Sequence, residues 1–253
     1  MADNSPQVQQ LGERWGTFLD KIQARYNEVL EQSAEPLKET INNLQYDTII
    51  IHNILTALKN QTVQQLTEKI EEGWKKMYGE MNKVGASREE LSRQGARGAF
   101  VKDKMSVDFR VFEVKTYGDA ARKILANVQA HIDETKLHRC TQCGADLPIK
   151  VYSFMAVNIK CDSCGSVNTY QPDDRVRALE YYVINNLAEE IALPEKMRAE
   201  YDKNAAKEYY RKYYGFLMEN VPDKKEFYER DMNERISWCD TKPNYVKDYF
   251  SAR

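Results

Sequence analysis

The sequence predicts a mainly α-helical protein, a multi-helix body with long amphipathic helices and one small inserted β segment. Apolar residues recur at steps of three and four through most of the chain, as in amphipathic helices. Glycine and proline are scarce, with 11 and 7 among 253 residues, and 30% of the residues are charged, which is typical of soluble helical proteins. Residues 138–172 differ from the rest because they alternate apolar and polar residues and contain four of the five cysteines.

The N-terminal region, residues 1–137, is expected to consist of long helices with a break near residues 83–87. Ser33 is expected to cap a second helix, because Pro36 is tolerated only in a first turn, and that helix would reach Lys59. A short connection at residues 60–61 would lead into a third helix. The near-heptad stripes favour a core seam within the chain, and a coiled coil with another chain is the alternative.

The residues after this break have a less regular pattern. Ser87 and Glu90 match a capping box, and the basic, glycine-containing stretch 92–104 that follows is interpreted as a solvated connection. Residues 105–115 fit either a strand or a helix. A helix ending near Lys136 fits the full length better.

The C-terminal region, residues 173–253, is expected to be helical and to pack with the N-terminal helices. Asp173 or Asp174 would cap a helix reaching Ile191, Pro194 would interrupt it, and further helices would cover residues 195–220 and 224–239. Tyrosine suits surfaces that are dry in one state and wet in another. The predicted helix over residues 195–220 contains a cluster of aromatic residues. A mixed core and a protein interface are equally good interpretations of this cluster, and stacking on nucleic acid is a third. The candidate interface residues are Tyr209, Tyr210, Tyr213, Tyr214 and Phe216.

Four cysteines form two motifs of the same kind. Cys140 and Cys143 are followed, after seventeen residues, by Cys161 and Cys164. A two-residue spacer lets both thiols of a pair turn toward one ion, and Zn²⁺ prefers four such ligands in a tetrahedron. Each pair is followed by a glycine, Gly144 or Gly165, which can adopt the positive backbone angles that wrap amides around a thiolate. The fifth cysteine, Cys239, has no predicted role.

Residues 138–172 resemble a zinc ribbon, in which two cysteine loops hold one metal ion at the end of a small sheet. The alternation predicts a hairpin with a break near Ser153–Phe154 and a third strand over residues 167–170. The resemblance implies that Cys140, Cys143, Cys161 and Cys164 bind one structural Zn²⁺. It implies no activity, because zinc ribbons occur in proteins of many functions.

No catalytic residues are predicted. Four thiolates leave a zinc ion no open position for water, and His138, near Cys140, is not needed to complete the set. The chain lacks the phosphate-binding, dinucleotide-binding, nucleophile-elbow and zinc-protease motifs, and its three histidines do not form the Glu-x-x-His pairs of a di-iron site. The chain is therefore predicted not to be an enzyme, and a thiol redox switch is a lesser alternative.

The predicted function is a non-enzymatic scaffold or adaptor in a larger protein assembly, with protein partners or self-association through the helices and the ribbon as a docking element. The alternative is nucleic-acid binding through basic and aromatic residues of the ribbon. The net charge of −2 does not favour this alternative. A polar N-terminus and the absence of a long apolar run predict a cytoplasmic protein without a membrane span. The residues of the nucleic-acid alternative are Arg139, Lys150, Lys160 and Tyr152 or Phe154.

Overall fold

A computed structural model describes residues 5–135, 139–147 and 156–250 of the protein. Within these residues the chain is mainly α-helical, with ten α-helices and one two-stranded sheet, which confirms the predicted fold class. The elements are α1 Pro6–Asn42, α2 Ile49–Lys59, α3 Gln65–Lys83, α4 Arg88–Thr135, β1 Val157–Lys160, β2 Val167–Tyr170, α5 Asp174–Ala178, α6 Ile184–Ile191, α7 Leu193–Ala199, α8 Lys203–Asn220, α9 Lys225–Thr241 and α10 Tyr245–Phe250.

The described residues form two compact units. The first unit contains residues 5–39 and 52–112, and the second contains residues 40–51 and 113–250. The described residues around the four cysteines and the C-terminal helices belong to the second unit. None of the helices in the described residues is both long enough and apolar enough to cross a bilayer.

α1 continues through the position where a new helix was predicted. The hydroxyl of Ser33 does not cap a helix, because it donates instead to the carbonyl of Leu30 at 2.8 Å. Pro36 lies inside α1, and Leu37 directly after it is buried. The predicted break at Ser33 is therefore wrong, since burial of residues beyond the proline outweighs the single hydrogen bond that proline removes.

The helix break lies instead in the loop between α1 and α2, residues 43–48. The side-chain amide of Asn127 donates to the carbonyls of Leu44 and Gln45 at 2.7 and 2.8 Å. The carboxylate of Asp47 accepts the amide of Ile49 at 3.0 Å. These bonds satisfy carbonyl and amide groups that have no hydrogen-bond partner within a helix.

The predicted connection at residues 60–61 is a π-helical turn, Asn60–Gln64, that joins α2 to α3. Its buried Thr62 donates through its hydroxyl to the carbonyl of Leu58 at 2.6 Å. A π-helical turn accommodates one additional residue without interrupting the helix. The connection is therefore helical and not a loop.

α4 contains both segments whose structure the sequence left uncertain. The stretch 92–104 and residues 105–115 are helical throughout, so the first is not a connection and the second is not a strand. The amide of Glu90 donates to the hydroxyl of Ser87 at 3.1 Å, which is one half of the predicted capping box. The Glu90 carboxylate instead binds Arg93, with two contacts of 2.8 Å.

The core of the first unit is centred on Trp15, whose side chain is 1% exposed. Its indole nitrogen donates to the carbonyl of Gln94 at 2.9 Å, and its ring stacks on Phe18 with centroids 5.4 Å apart. A Cβ atom built on Gly98 would lie 2.9 Å from the Trp15 ring. The glycine in α4 thus provides the space that the indole occupies.

The predicted helix that reaches Ile191 begins at Asp174 and contains a π-helical turn, Leu179–Val183, which joins α5 to α6. The predicted helix 195–220 is two helices, because α7 ends at Ala199 and α8 begins after Asp202, whose carboxylate caps it by accepting the amide of Asn204 at 2.8 Å. A 3₁₀ turn, Pro222–Lys224, precedes α9.

Asp173 is the N-cap of α5. One carboxylate oxygen accepts the amides of Arg175 and Val176, both at 3.0 Å. The other accepts from Nε2 of the buried His131 at 2.6 Å. We expect Asp173→Ala to lower the free energy of unfolding by about 1–2 kcal/mol, measured by urea denaturation at neutral pH. Asp174→Ala is the matched control, because the neighbouring side chain is fully exposed, and an equal loss in both variants would contradict this role.

The contribution of Asp173 should depend on pH. Partial burial raises the pKa of Asp173, but hydrogen bonds from His131 and from the amide of Val176 outweigh it and hold the pKa below its ordinary value. The native state therefore binds this proton less readily than the unfolded state, so the contribution is present above about pH 4 and is lost as the pH falls further. The difference in stability between wild type and Asp173→Ala should shrink below that pH.

Candidate metal centre

The four predicted ligands lie in two loops of the same shape. The amide of the first cysteine in each loop donates to the carbonyl five residues later. The distance is 2.7 Å from the Cys140 amide to the Ala145 carbonyl and 2.8 Å from the Cys161 amide to the Ser166 carbonyl. The amides of Gly144 and Gly165 donate back to the carbonyls of those cysteines, both at 2.9 Å. The φ angles of the two glycines are +72° and +75°, which residues with a Cβ atom adopt at a cost. The repeated sequence motif therefore forms a repeated backbone turn.

The sulfur atoms of the four cysteines form a compact cluster. The distances from Cys140 to Cys164 and from Cys143 to Cys161 are both 3.6 Å, and all four sulfurs lie within 4.8 Å of one another. Zinc–sulfur bonds of about 2.3 Å in a tetrahedron place the sulfurs about 3.8 Å apart. A disulfide requires about 2 Å, and all these cysteines are free thiols. The cluster therefore fits a four-coordinate metal ion.

Two residues of the second loop and its strand support the sulfurs. The hydroxyl of Ser166 lies 3.1 Å from the sulfur of Cys140 and 3.0 Å from that of Cys164. Asn168, on β2 and 5% exposed, donates through Nδ2 to the Cys140 sulfur at 3.5 Å. Its Oδ1 accepts from the amide and the hydroxyl of Thr141 at 2.9 and 3.0 Å. Asn168 thus connects the two loops.

The surroundings of the sulfurs favour negative charge on some of them. The Ser166 hydroxyl lowers the pKa of Cys140 to about 5 and also lowers the pKa of Cys164. At Cys143 the Ala145 amide favours the thiolate, but the adjacent sulfurs outweigh it and raise the pKa to about 12. Four thiolates at these distances repel one another. A divalent cation among them would supply the compensating charge.

Four cysteines complete a tetrahedral coordination shell. Cys140 and Cys161 are buried, whereas Cys143 and Cys164 are exposed. No position in such a shell is left for water or substrate. Among the described residues, this is the one group of three or more His, Cys, Asp or Glu side chains that could hold a metal ion.

In the chain, β1 lies between the two cysteine loops, and β2 follows the second loop. β1 and β2 are antiparallel, with Val157 opposite Tyr170 and Lys160 opposite Val167. β2 is the strand that the sequence predicted over residues 167–170. The predicted hairpin break at Ser153–Phe154 lies outside the described residues.

The structure describes only some of the residues that were named for nucleic-acid binding or left without a predicted role. Arg139 and Lys160 are exposed, and Arg139 forms an ion pair with Asp146 at 3.6 Å. Cys239 is buried in α9, and its thiol donates to the carbonyl of Arg235 at 3.4 Å, so it is not part of the cluster. The following lie outside the described residues: His138, Lys150, Tyr152 and Phe154.

The candidate interface residues on α8 are mostly inside the second unit. Tyr209, Tyr210 and Tyr214 are 3%, 1% and 6% exposed, and they belong to its apolar core. Only Tyr213 and Phe216 of this group are half-buried. The three buried tyrosines therefore lie in the core of the second unit, as the mixed-core interpretation expects. Contact of the other two with a partner stays a prediction.

The hydroxyls of the buried tyrosines have partners within the chain. Tyr209 donates to Glu189 at 2.5 Å, and Tyr214 donates to Asp231. The hydroxyl of Tyr210 lies 2.7 Å from that of Tyr245. These bonds explain how a core can hold so many phenol groups.

A groove of about 380 Å³ lies along α1 and the start of α4 in the first unit. Gly12 and Gly16 are part of its wall, and the guanidinium of Arg97 donates to Gln94 at 2.9 Å beside them. Acidic and basic side chains both line the groove, including Asp20, Glu90 and Arg93. This mixture does not select a ligand of one charge.

The fold and the cysteine geometry define a class: a mainly helical protein with a four-cysteine, ribbon-like site that can hold a metal ion. Comparison with protein-family models, with curated proteins and with solved structures finds no match to the chain. The chemistry of its own residues therefore carries the functional argument.

We expect Asn168→Asp to weaken metal binding about 10- to 100-fold, as loss of supporting residues around ligands does. The substitution keeps the shape of the side chain, but it removes the Nδ2 donor and places a negative charge beside Cys140. Asn158→Asp is the control, because Asn158 is exposed on β1 and its Oδ1 accepts from Thr169 at 2.8 Å. Competition with a chromophoric zinc chelator measures both affinities, and equal values would contradict the role of Asn168.

Proposed function

We propose that the chain is a non-enzymatic, zinc-binding helical scaffold or adaptor subunit of a larger protein assembly, in which one zinc ion is structural. The cluster of four cysteine sulfurs within 4.8 Å of one another supports the metal-binding part of this proposal. Sulfur ligands in this number favour zinc among the common divalent ions of proteins.

The size of the sheet supports a structural role for the ion. β1 and β2 have four residues each, and an isolated two-stranded sheet of this size is marginally stable at best. The apolar cluster beside the cysteines includes only Leu147, Ala145 and Ile159 besides Cys140 and Cys161 among the described residues. Metal binding would therefore supply much of the folding free energy of this segment.

The surface of the ribbon-like segment supports a docking role. Val167 on β2 is 68% exposed, and it lies next to Ser166 and Asn168, which contact the sulfurs. A strand held in place by a metal ion would present such an apolar side chain with a smaller loss of backbone conformational entropy on binding. We infer that this face contacts a protein partner.

The test is the metal content and molar mass of the chain purified from its native source under mild conditions. We expect one zinc per chain and a mass above that of the monomer, measured by elemental analysis and by size-exclusion chromatography with light scattering. A strict monomer without a partner would contradict the scaffold role. Salt-sensitive retention of RNA or DNA in a filter-binding assay would favour the nucleic-acid alternative instead.

Substitution at Val167 tests the docking face. Val167→Glu should reduce the mass of the assembly while leaving one zinc per chain, because the side chain of residue 167 is exposed. Val167→Thr keeps the branched shape and should preserve the assembly. Loss of zinc in the glutamate variant would mean that the substitution damages the fold, and an unchanged assembly would exclude this face.

A further inference from the structure

Two pairs of sulfur atoms in the cluster lie 3.6 Å apart, and each of these pairs contains one exposed and one buried residue. Exposed Cys164 lies 3.6 Å from buried Cys140, and exposed Cys143 lies 3.6 Å from buried Cys161. Each pair joins the two loops, so neither is the pair within one Cys-x-x-Cys motif. The exposed residue of each pair is open to solvent, and its sulfur lies 3.6 Å from the sulfur of the buried residue.

We propose that the site is also a redox-sensitive device in which hydrogen peroxide converts the two cross-loop pairs, Cys140 with Cys164 and Cys143 with Cys161, into disulfides and releases the metal. This inference rests on the proposed metal site and does not depend on the scaffold role.

The reaction takes two steps at each pair. The exposed thiolate attacks one oxygen of peroxide, which breaks the O–O bond, gives a sulfenic acid and releases hydroxide. The buried thiolate of the other loop then attacks that sulfur, forms the S–S bond and displaces a second hydroxide. Each pair is oxidised by two electrons and consumes one peroxide, which is reduced to two hydroxide ions. The metal ion leaves because a disulfide sulfur is no longer a thiolate ligand.

The geometry allows disulfides between the loops. A disulfide needs its sulfurs about 2 Å apart, so each contacting pair has to close by only about 1.5 Å. The two bonds would be nested, one joining residues 140 and 164 and the other joining residues 143 and 161. They would connect the same two loops that the metal connects, so the oxidised segment would keep a crosslink where the metal had been.

Trypsin provides a direct readout of the pairing. It cleaves after Arg139, Lys150, Lys160 and Arg175, so one peptide contains Cys140 with Cys143 and another contains Cys161 with Cys164. Disulfides between the loops join these two peptides, whereas disulfides within a motif leave them separate. Fragmentation of the joined species in the mass spectrometer then assigns which cysteines are paired.

The experiment starts from the full chain with its zinc content already measured. Two equivalents of hydrogen peroxide should release the zinc to a chromophoric indicator, and the non-reducing digest should contain the joined peptides paired as proposed. A reductant followed by zinc should restore the starting metal content. Cys239→Ala should behave like wild type, because Cys239 is buried away from the cluster.

Three results would overturn the inference: separate peptides with a disulfide inside each motif, joined peptides with the other pairing, or sulfinic acids without disulfides. Retention of the zinc and of all four thiols under these conditions would also overturn it. A chain that contains no zinc before peroxide is added would instead contradict the proposed metal site, so the two failures are distinguishable.

Discussion

Cys161→Ser is expected to abolish stable zinc binding and to unfold the segment around the two loops. Cys161 is 1% exposed, its sulfur lies 3.6 Å from that of Cys143, and its backbone anchors the second loop. Metal binding in small structural sites contributes about 10–16 kcal/mol of apparent free energy, so the loss of one ligand removes most of what stabilises the segment. Elemental analysis should fall from one zinc per chain to near zero.

The control for this prediction is Cys239→Ala. Cys239 is also buried, at 2% exposed, but it lies outside the cluster, so the variant should keep its zinc. Limited trypsin digestion should cleave Cys161→Ser rapidly after Arg139 and Lys160, while the helices elsewhere in the chain persist by circular dichroism. Equal zinc content in the two variants would contradict the assignment of Cys161 as a ligand.

Trp15→Ala is expected to lower the free energy of unfolding of the first unit by about 3–5 kcal/mol. The indole is 1% exposed, stacks on Phe18 and packs beside Trp74 with centroids 5.5 Å apart. Its removal leaves a cavity and deprives the carbonyl of Gln94 of the hydrogen bond from Nε1. Urea denaturation followed by far-UV circular dichroism measures the loss. Phe100→Ala, at a side chain that is 68% exposed, should change stability little.

A double-mutant cycle with Gly98 tests the packing of Trp15 directly. Gly98→Ala should destabilise the wild type, because the added Cβ would lie 2.9 Å from the indole ring. In the Trp15→Ala background the same substitution should instead stabilise by roughly 0.5–1 kcal/mol, which is the ordinary gain when alanine replaces glycine in a helix. Equal effects in the two backgrounds would show that Gly98 and Trp15 are not coupled.

The cluster of four cysteines could be predicted because its information is local. Two residues between cysteines and a glycine after each pair are enough to specify a loop that turns both sulfurs inward. Asn168 could not be found in this way, because its partners Thr141 and Cys140 lie in the other loop. The one signal was a polar residue on the inward side of an alternating strand.

The helix boundaries were harder to predict because tertiary packing decides them. Pro36 indicates a helix start by propensity, yet α1 runs through it. Gly95 and Gly98 suggest a flexible connection. In α4, however, their missing side chains leave space for the rings of Trp74 and Trp15. Helix propensity is therefore a weak predictor of helix boundaries at a glycine against which a large buried ring packs.

The tyrosines of α8 show a limit of a different kind. Their spacing gives two aromatic faces, and a sequence cannot say whether such faces meet solvent, a partner or the rest of the chain. The decisive contacts come from distant residues, Glu189 for Tyr209 and Tyr245 for Tyr210. Burial raises the pKa of both tyrosines far above the ordinary value, with Glu189 adding to the effect at Tyr209, so both phenols stay neutral.

The two π-helical turns have a consequence for how the length of this chain can vary. Each turn, Asn60–Gln64 and Leu179–Val183, contains a residue more than an α-helical turn would need, which is the form that a single-residue insertion takes when a helix absorbs it. Buried side chains lie before, within and after the second turn, at Val176, Val183 and Leu187. Deletion of the exposed Tyr181 would convert that turn to a regular one. Divergent copies of this gene could therefore gain or lose a codon at these two places and still encode the same buried faces.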